Sequence, residues 1–225
     1  MGKDNQPKHR QQSRDLKRRT ARRAPFERVL IVCEGEKTEP QYIREIRRNY
    51  RLNTANVHVC SSALGTQPLQ VVEYAEMLFR KGDRSKAIDL GAFDRVIVVF
   101  DRDDHASYHQ ALNKAEAMNG KLKNDIGERV PFQAIASVPC FELWLLLHFE
   151  DVHAPIHRDD VYERLKAYLP GYNKGQSGYW AATKAHLQVA IKRASTRAAA
   201  NGAHNDHEPY TAMYDLVLRL IHLKD

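Results

Sequence analysis

Short runs without a polar position alternate along this chain with stretches whose apolar side chains recur every three or four residues. Arg28-Val-Leu-Ile-Val-Cys33 and Arg95-Val-Ile-Val-Val-Phe100 are uninterrupted and rich in β-branched residues. That pattern suits strands covered on both faces, as in a parallel sheet between helices. Residues 56–60 and 131–136 read as two further strands, the latter broken by Ser137-Val-Pro139. Helical periodicity fills the gaps. Residues 39–50 put Tyr42, Ile43 and Ile46 on one face, with Pro40 suited to the first turn, and residues 68–80 align Leu69, Val72, Ala75 and Phe79. A third helix is expected over about 105–118, and 81–90 is polar and loop-like. Residues 140–149 are apolar nearly all round, which predicts a buried helix. Such alternation predicts an α/β fold with a mainly parallel four-stranded sheet flanked by helices.

Strand signals stop after about residue 150. Helices near 158–168, 180–200 and 209–223 are expected to form a helical C-terminal region packed on the core, so the chain divides into a tail (1–24), an α/β core (25–150) and that region (151–225). A loop at 171–178 with Lys174, Gly175 and Gly178, and a polar loop at 201–209, join the helices.

Composition adds a location for charge. With 225 residues, 43% hydrophobic and 28% charged, the chain can bury one substantial core. The excess of +7 sits in the tail, where nine lysines and arginines, among them Arg18, Arg19, Arg22 and Arg23, face only Asp4 and Asp15. A basic arm with few apolar residues either holds polyanions by counterion release or is a solvated leader; both readings stay open. No apolar stretch nears the roughly 20 residues that span a bilayer, and the N-terminus lacks a secretory pattern. Cys33, Cys60 and Cys140 each lie in apolar runs and read as buried reduced thiols, so a cytoplasmic protein without membrane attachment is expected.

The chemistry gathers where strands end. The first run leads into Glu34-Gly-Glu-Lys-Thr-Glu39 and the second into Asp101-Arg-Asp-Asp104. Ligands of open parallel sheets sit beyond the carboxyl ends of the strands, so the two clusters should converge. Crowded carboxylates repel unless a cation lies between them, and Mg²⁺ or Mn²⁺ suits oxygen ligands. Asp101 and Asp103, two apart in an extended strand end, should point the same way, whereas Asp104 can cap the next helix. All three can instead be solvated strand-end acids. Glu34 before Gly35 places an acid where the backbone turns closely past a ligand. Lys37 either meets a phosphate or neutralises its neighbours, and Thr38 is a candidate helix cap with Glu39 in the first turn. Glu142, in an apolar segment, needs a function or an internal partner. His148 reads as a core histidine more than a catalytic one, and His105 can reach a phosphate or a metal-bound water. The remaining histidines lack zinc-ligand spacing. Lys174 sits in a loop like those that contact phosphate, yet no Walker A pattern exists, so the chain itself is not expected to hydrolyse ATP.

The order hydrophobic strand–Glu-Gly, then a later strand–Asp-x-Asp, resembles the Toprim domain of topoisomerases, DnaG-type primases and OLD-family nucleases. Ile31-Val-Cys-Glu-Gly-Glu-Lys-Thr-Glu-Pro40, Phe100-Asp-Arg-Asp103, Ser137-Val-Pro-Cys-Phe-Glu-Leu-Trp-Leu-Leu-Leu-His-Phe149 and Glu208-Pro-Tyr-Thr-Ala-Met-Tyr-Asp-Leu-Val217 resemble the RloB-like branch of that group. The resemblance covers about residues 28–223. It implies a Toprim-like fold and Mg²⁺- or Mn²⁺-dependent phosphodiester cleavage in bacterial anti-phage, abortive-infection defence, commonly beside an AAA/ABC-type, RloA-like ATPase. Carried over by position, Glu34, Asp101 and Asp103 are metal-binding and catalytic, and Glu142 supports them. Lys37, Lys174, Arg18, Arg19, Arg22 and Arg23 would hold nucleic acid. One departure stands out: many such nucleases carry a second acid four residues after the glutamate, and that position is Thr38, for which Glu36 or Glu39 could substitute only with a shifted turn. It favours the rival expectation of a non-catalytic, Toprim-like nucleic-acid-binding or regulatory subunit. DNA versus RNA, one metal versus two, and homo-oligomerisation stay open.

Overall fold

A computed structural model describes residues 26–205 and 209–223. Five strands form the central sheet: β1 (Val29–Cys33), β2 (Val57–Ser61), β3 (Arg95–Asp101), β6 (Phe132–Val138) and β7 (Tyr210–Thr211), in the order β2-β1-β3-β6-β7. The first four run parallel and β7 pairs antiparallel to β6. The fold is therefore α/β with a mainly parallel sheet, as the sequence pattern predicts. The two-residue β7 is an addition to the four predicted strands, and it interrupts the helix expected over 209–223. Serine and threonine hold it in place: Ser137 Oγ and Thr211 Oγ1 lie 3.0 Å apart and buried.

Period-two alternation sends the strands' side chains into two layers. Val29, Ile31 and Cys33 of β1, with Ile97 and Val99 of β3, face one helical layer: α1 (Thr38–Asn49), α4 (Glu142–Leu146), α5 (Arg158–Tyr168), α7 (Leu187–Ala200) and α8 (Met213–Ile221). Leu30, Val32, Val96, Val98 and Phe100 face the other, built from α2 (Pro68–Lys81) and α3 (Tyr108–Met118). Runs without polar positions are thus explained: neither face of β1 or β3 meets water. The C-terminal helices share the core that contains β1.

Boundaries shift in ways that matter for the site. α3 begins at Tyr108 behind Ser107, so Asp104 caps no helix. The helix expected over 180–200 is broken into α6 (Tyr179–Thr183), a 3-10 turn (Lys184–His186) and α7. β4 (Leu122–Lys123) and β5 (Arg129–Val130) make a small hairpin that the sequence pattern did not signal. Cys33, Cys60 and Cys140 are free and buried. Among the described residues, no helix is long and apolar enough to cross a membrane.

α4 is short but wholly buried, and Trp144 anchors it: its indole Nε1 donates to Tyr42 Oη of α1 at 3.0 Å. His148 donates from Nδ1 to the Trp144 carbonyl at 2.9 Å and packs edge-on to the indole. Burial pushes its pKa down to about 4, which keeps the ring neutral and assigns it to the core. Trp144→Ala should cost about 3–5 kcal/mol in urea unfolding, whereas Leu90→Ala, at a position 69% exposed, should change stability by no more than about 0.5 kcal/mol.

Candidate functional site

The chain leaves β1 towards β2 on one side and returns to β3 on the other. A crevice opens beyond the carboxyl ends of neighbouring strands at such a switch point. Glu34 is the first residue past β1. Its N–H donates to the Val99 carbonyl at 2.8 Å, which continues the ladder with β3. Its carboxylate accepts from the Asp101 N–H at 2.9 Å through Oε2, and Oε1 lies 3.0 Å from His105 Nε2. Gly35 leaves room for Glu39, which folds back from the first turn of α1: a Cβ here would fall 2.2 Å from a Glu39 carboxylate oxygen and displace it.

Asp101 ends β3 opposite Ser137. Beyond it, Arg102 N–H donates to the Ser137 carbonyl at 2.8 Å and Asp103 N–H to the Pro139 carbonyl at 3.0 Å. Asp103 has φ 34°, a left-handed conformation, so the chain turns there and the extended geometry expected for Asp-x-Asp does not hold. Both aspartates still line the same pocket. One oxygen of Asp103 is 2.7 Å from Arg158 Nη1 of α5; the other is buried and accepts no hydrogen bond.

Glu142, at the start of α4, forms a third wall. Tyr172 Oη donates to it and Lys174 Nζ stands 3.8 Å away, 4.7 Å above the Tyr162 ring. The loop carrying Lys174 is tied to α1. Gly175 N–H donates to Thr38 Oγ1 at 3.0 Å, and Glu45 accepts from the N–H groups of Gly178 and Trp180, capping α6. Gly175, at φ +82°, lies against the Lys37 side chain, where a Cβ would come within 2.8 Å of its Cδ. Thr38 therefore serves as a loop anchor and not as a helix cap.

Glu34, Glu36, Glu39, Asp101, Asp103 and Glu142, with Lys37, Lys174 and Thr66, thus line one cavity of about 390 Å³. Six carboxylates face two lysines. Burial pushes Asp101 well above the ordinary aspartate range, and Glu39, Glu34, Glu142 and Asp103 push it further. Glu39 rises to about 7, through burial first and then Glu142 and Glu34. Burial raises Glu34 against the pull of the Asp101 N–H and His105. It raises Asp103 as well, with Arg158 opposing.

The donors are hard oxygens in excess of their counter-charge, and one of them is buried without a partner, so the set suits a divalent cation. Glu34, Asp101 and Asp103 would hold it. Three of the acids nonetheless already have side-chain partners: His105 beside Glu34, Arg158 on Asp103, and Tyr172 with Lys174 at Glu142. Among the described residues, no three His, Cys, Asp or Glu side chains form a ready ligand group. Taking up an ion means exchanging those partners for it.

A family model for RloB-like protein matches residues 29–220. The chain belongs to the RloB-like family. No curated protein and no solved structure matches it. Of the residues singled out from sequence, Glu34, Asp101, Asp103, Glu142, Lys37 and Lys174 meet in the cavity; Arg18, Arg19, Arg22, Arg23 and Glu208 lie outside the described residues. Sequence reasoning missed Glu39 as a wall of this RloB-like pocket, along with Thr66, Arg158 and Tyr172. Only Glu39 left a trace, as the acid nearest the absent one at Thr38.

A carboxyl with a higher pKa folded than unfolded binds more protons in the folded state, so stability falls as pH rises through the interval between the two values. For Glu39 that interval runs from 4.5 to about 7. In chelator, the melting temperature should decline across it, and Glu39→Gln should flatten the decline by removing both its own titration and a charge facing Asp101.

Proposed function

We propose that this RloB-like protein is a Toprim-type nuclease that uses Mg²⁺ or Mn²⁺ to cleave phosphodiester bonds of nucleic acid, in anti-phage defence beside an ATPase. The observation that carries this reading is the meeting of Glu34, Asp101, Asp103 and Glu142 in one pocket at the switch point of a parallel sheet. When bound, the cation would polarise the phosphate and acidify water. Lys37 and Lys174 offset the charge of an incoming phosphate at the pocket wall. Glu39, with a pKa of about 7, is suited to exchange a proton near neutrality. His105 orients the Glu34 carboxylate through Oε1, and the Asp101 N–H fixes its other oxygen.

A second reading is favoured by the ion pair between Arg158 and Asp103, which occupies an expected ligand. In it the acids are structural and the protein binds nucleic acid, or regulates an ATPase partner, without cutting. Titration calorimetry with Mn²⁺ separates the two: heat saturating at millimolar metal or below supports the nuclease, and no binding supports the rival.

Glu34→Gln and Asp101→Asn should each remove divalent-dependent cleavage of labelled RNA or DNA by at least about 100-fold, beyond the 10–100-fold typical of losses one shell further out. Circular dichroism should show both folded. Wild-type cleavage by both would overturn the assignment.

A further inference from the structure

The sheet edge next to the pocket carries a second cationic feature. β2 is the edge strand, and its Val57 and Val59 carbonyls point away from β1. Both are taken by arginines of α1: Arg47 Nη1 donates to Val57 O at 2.9 Å and Arg44 Nη2 to Val59 O at 3.1 Å. Two consequences follow. The outer carbonyls of this edge are capped, so a partner strand cannot add there without displacing both arginines. The guanidinium groups are held by neutral acceptors and keep their full charge. Arg48, one residue on and exposed, extends the row. Among the described residues no carboxylate pairs with Arg44, Arg47 or Arg48; the nearby Glu45 is committed to the start of α6.

The field of this row is felt by its neighbours. His58 on β2 is lowered by burial, then by Arg47, Arg44 and Lys86, and Arg47 is itself lowered by burial, Arg44 and Arg48. Cations gathered this closely set up a positive potential that attracts a polyanion. The row also starts from the pocket, because α1 begins at Thr38 directly after Lys37, and β2 leads into the segment that supplies Thr66. From Lys37 to Arg48 the helix rises about 16 Å, enough for several successive phosphates.

We infer that the α1–β2 edge, through Arg44, Arg47 and Arg48, is a track for the sugar-phosphate backbone of nucleic acid, leading it past Lys37 into the acidic pocket. The inference rests on the reading of the protein as one that acts on nucleic acid, and it adds where the strand lies. Recognition is of backbone charge, without base readout. Arg44 and Arg47 act from fixed positions, since their carbonyl bonds restrict them beforehand.

Fluorescence anisotropy tests it with the full chain in chelator, where binding proceeds without cleavage, using labelled single-stranded RNA and duplex DNA of mixed sequence. Arg44→Gln/Arg47→Gln/Arg48→Gln should weaken binding of at least one probe tenfold or more and lower its salt slope by about two to three units. Lys121→Gln/Lys123→Gln/Arg129→Gln, on the hairpin, removes equal charge and should bind like wild type. The tail is present throughout, so its share is common to all. Which probe responds tells single-stranded RNA from duplex DNA. Equal losses in both triple variants, or wild-type binding by the first, would overturn the track. Should the first variant fail to fold, exposed Arg48→Gln alone should lower the slope by about one unit, and an unchanged slope would overturn the track too. Cleavage with metal is read separately: a track that binds in a protein that never cuts leaves this inference standing and removes the nuclease, and the reverse result does the opposite.

Discussion

Like-charged carboxylates forced to one rim of a parallel sheet set the terms for everything built around them. β1 and β3 are neighbours with the same direction, so Glu34, just past β1, and Asp101, the last residue of β3, cannot be placed apart. Hydrogen bonds hold them there as well: Glu34 N–H donates to the Val99 carbonyl, and Asp101 N–H donates to the Glu34 carboxylate. An uncompensated buried charge costs several kcal/mol, so such a rim needs cations and hydrogen-bond donors from elsewhere in the chain. The C-terminal region supplies them. Arg158 of α5 reaches Asp103, and the 171–178 loop brings Lys174 and Tyr172 to Glu142. Its anchors, Thr38 and Glu45, both belong to α1, the helix that also carries Glu39 into the pocket. Helices that a topology diagram would show as a separate cap are therefore part of the electrostatics of the site.

The fold was legible where one residue type settles the local structure. Uninterrupted β-branched runs gave β1 and β3, and apolar spacing with a proline in the first turn gave α1 and α2 to within a residue or two. What escaped depends on distant partners. Tyr210 and Thr211 make a strand only because Ser137 and Val138 offer an unpaired edge. The 3-10 turn at Lys184–His186 divides a stretch whose composition reads as helix throughout.

The same division runs through the site. Glu34 and Asp101 could be read directly, since strand ends fix them, and Glu142 could be flagged because an acid in an apolar run needs a partner. The orientation of Asp103 could not, because it turns on a positive φ that the Asp-Arg-Asp string does not announce. Arg158 lies 55 positions from the aspartate it binds, in a helix with several other charged residues that are exposed. Glu39 was hidden by a sound local argument: an acid in the first turn of a helix is common, and its burial against Gly35 emerges only when the turn is built.

The separate partners of these acids bear on how an ion and a polyanion would meet here. On the proposed reading, Glu34, Asp101 and Asp103 would hold a cation in place of their present contacts with His105 and Arg158. Arg158 would then face the cavity with its positive charge released from Asp103, at the pocket that Lys174 lines. A phosphate arriving with the cation would be the complement of that released charge, since it brings negative oxygens in place of the one Arg158 has lost. Metal and substrate would therefore favour each other's binding through the residues that keep the pocket closed on itself without them, a reciprocal coupling of the kind linkage demands. The orphaned oxygen of Asp103 fits this account: it lies next to the Arg158 bond, buried and free to accept, on the acid whose arginine partner would have to leave.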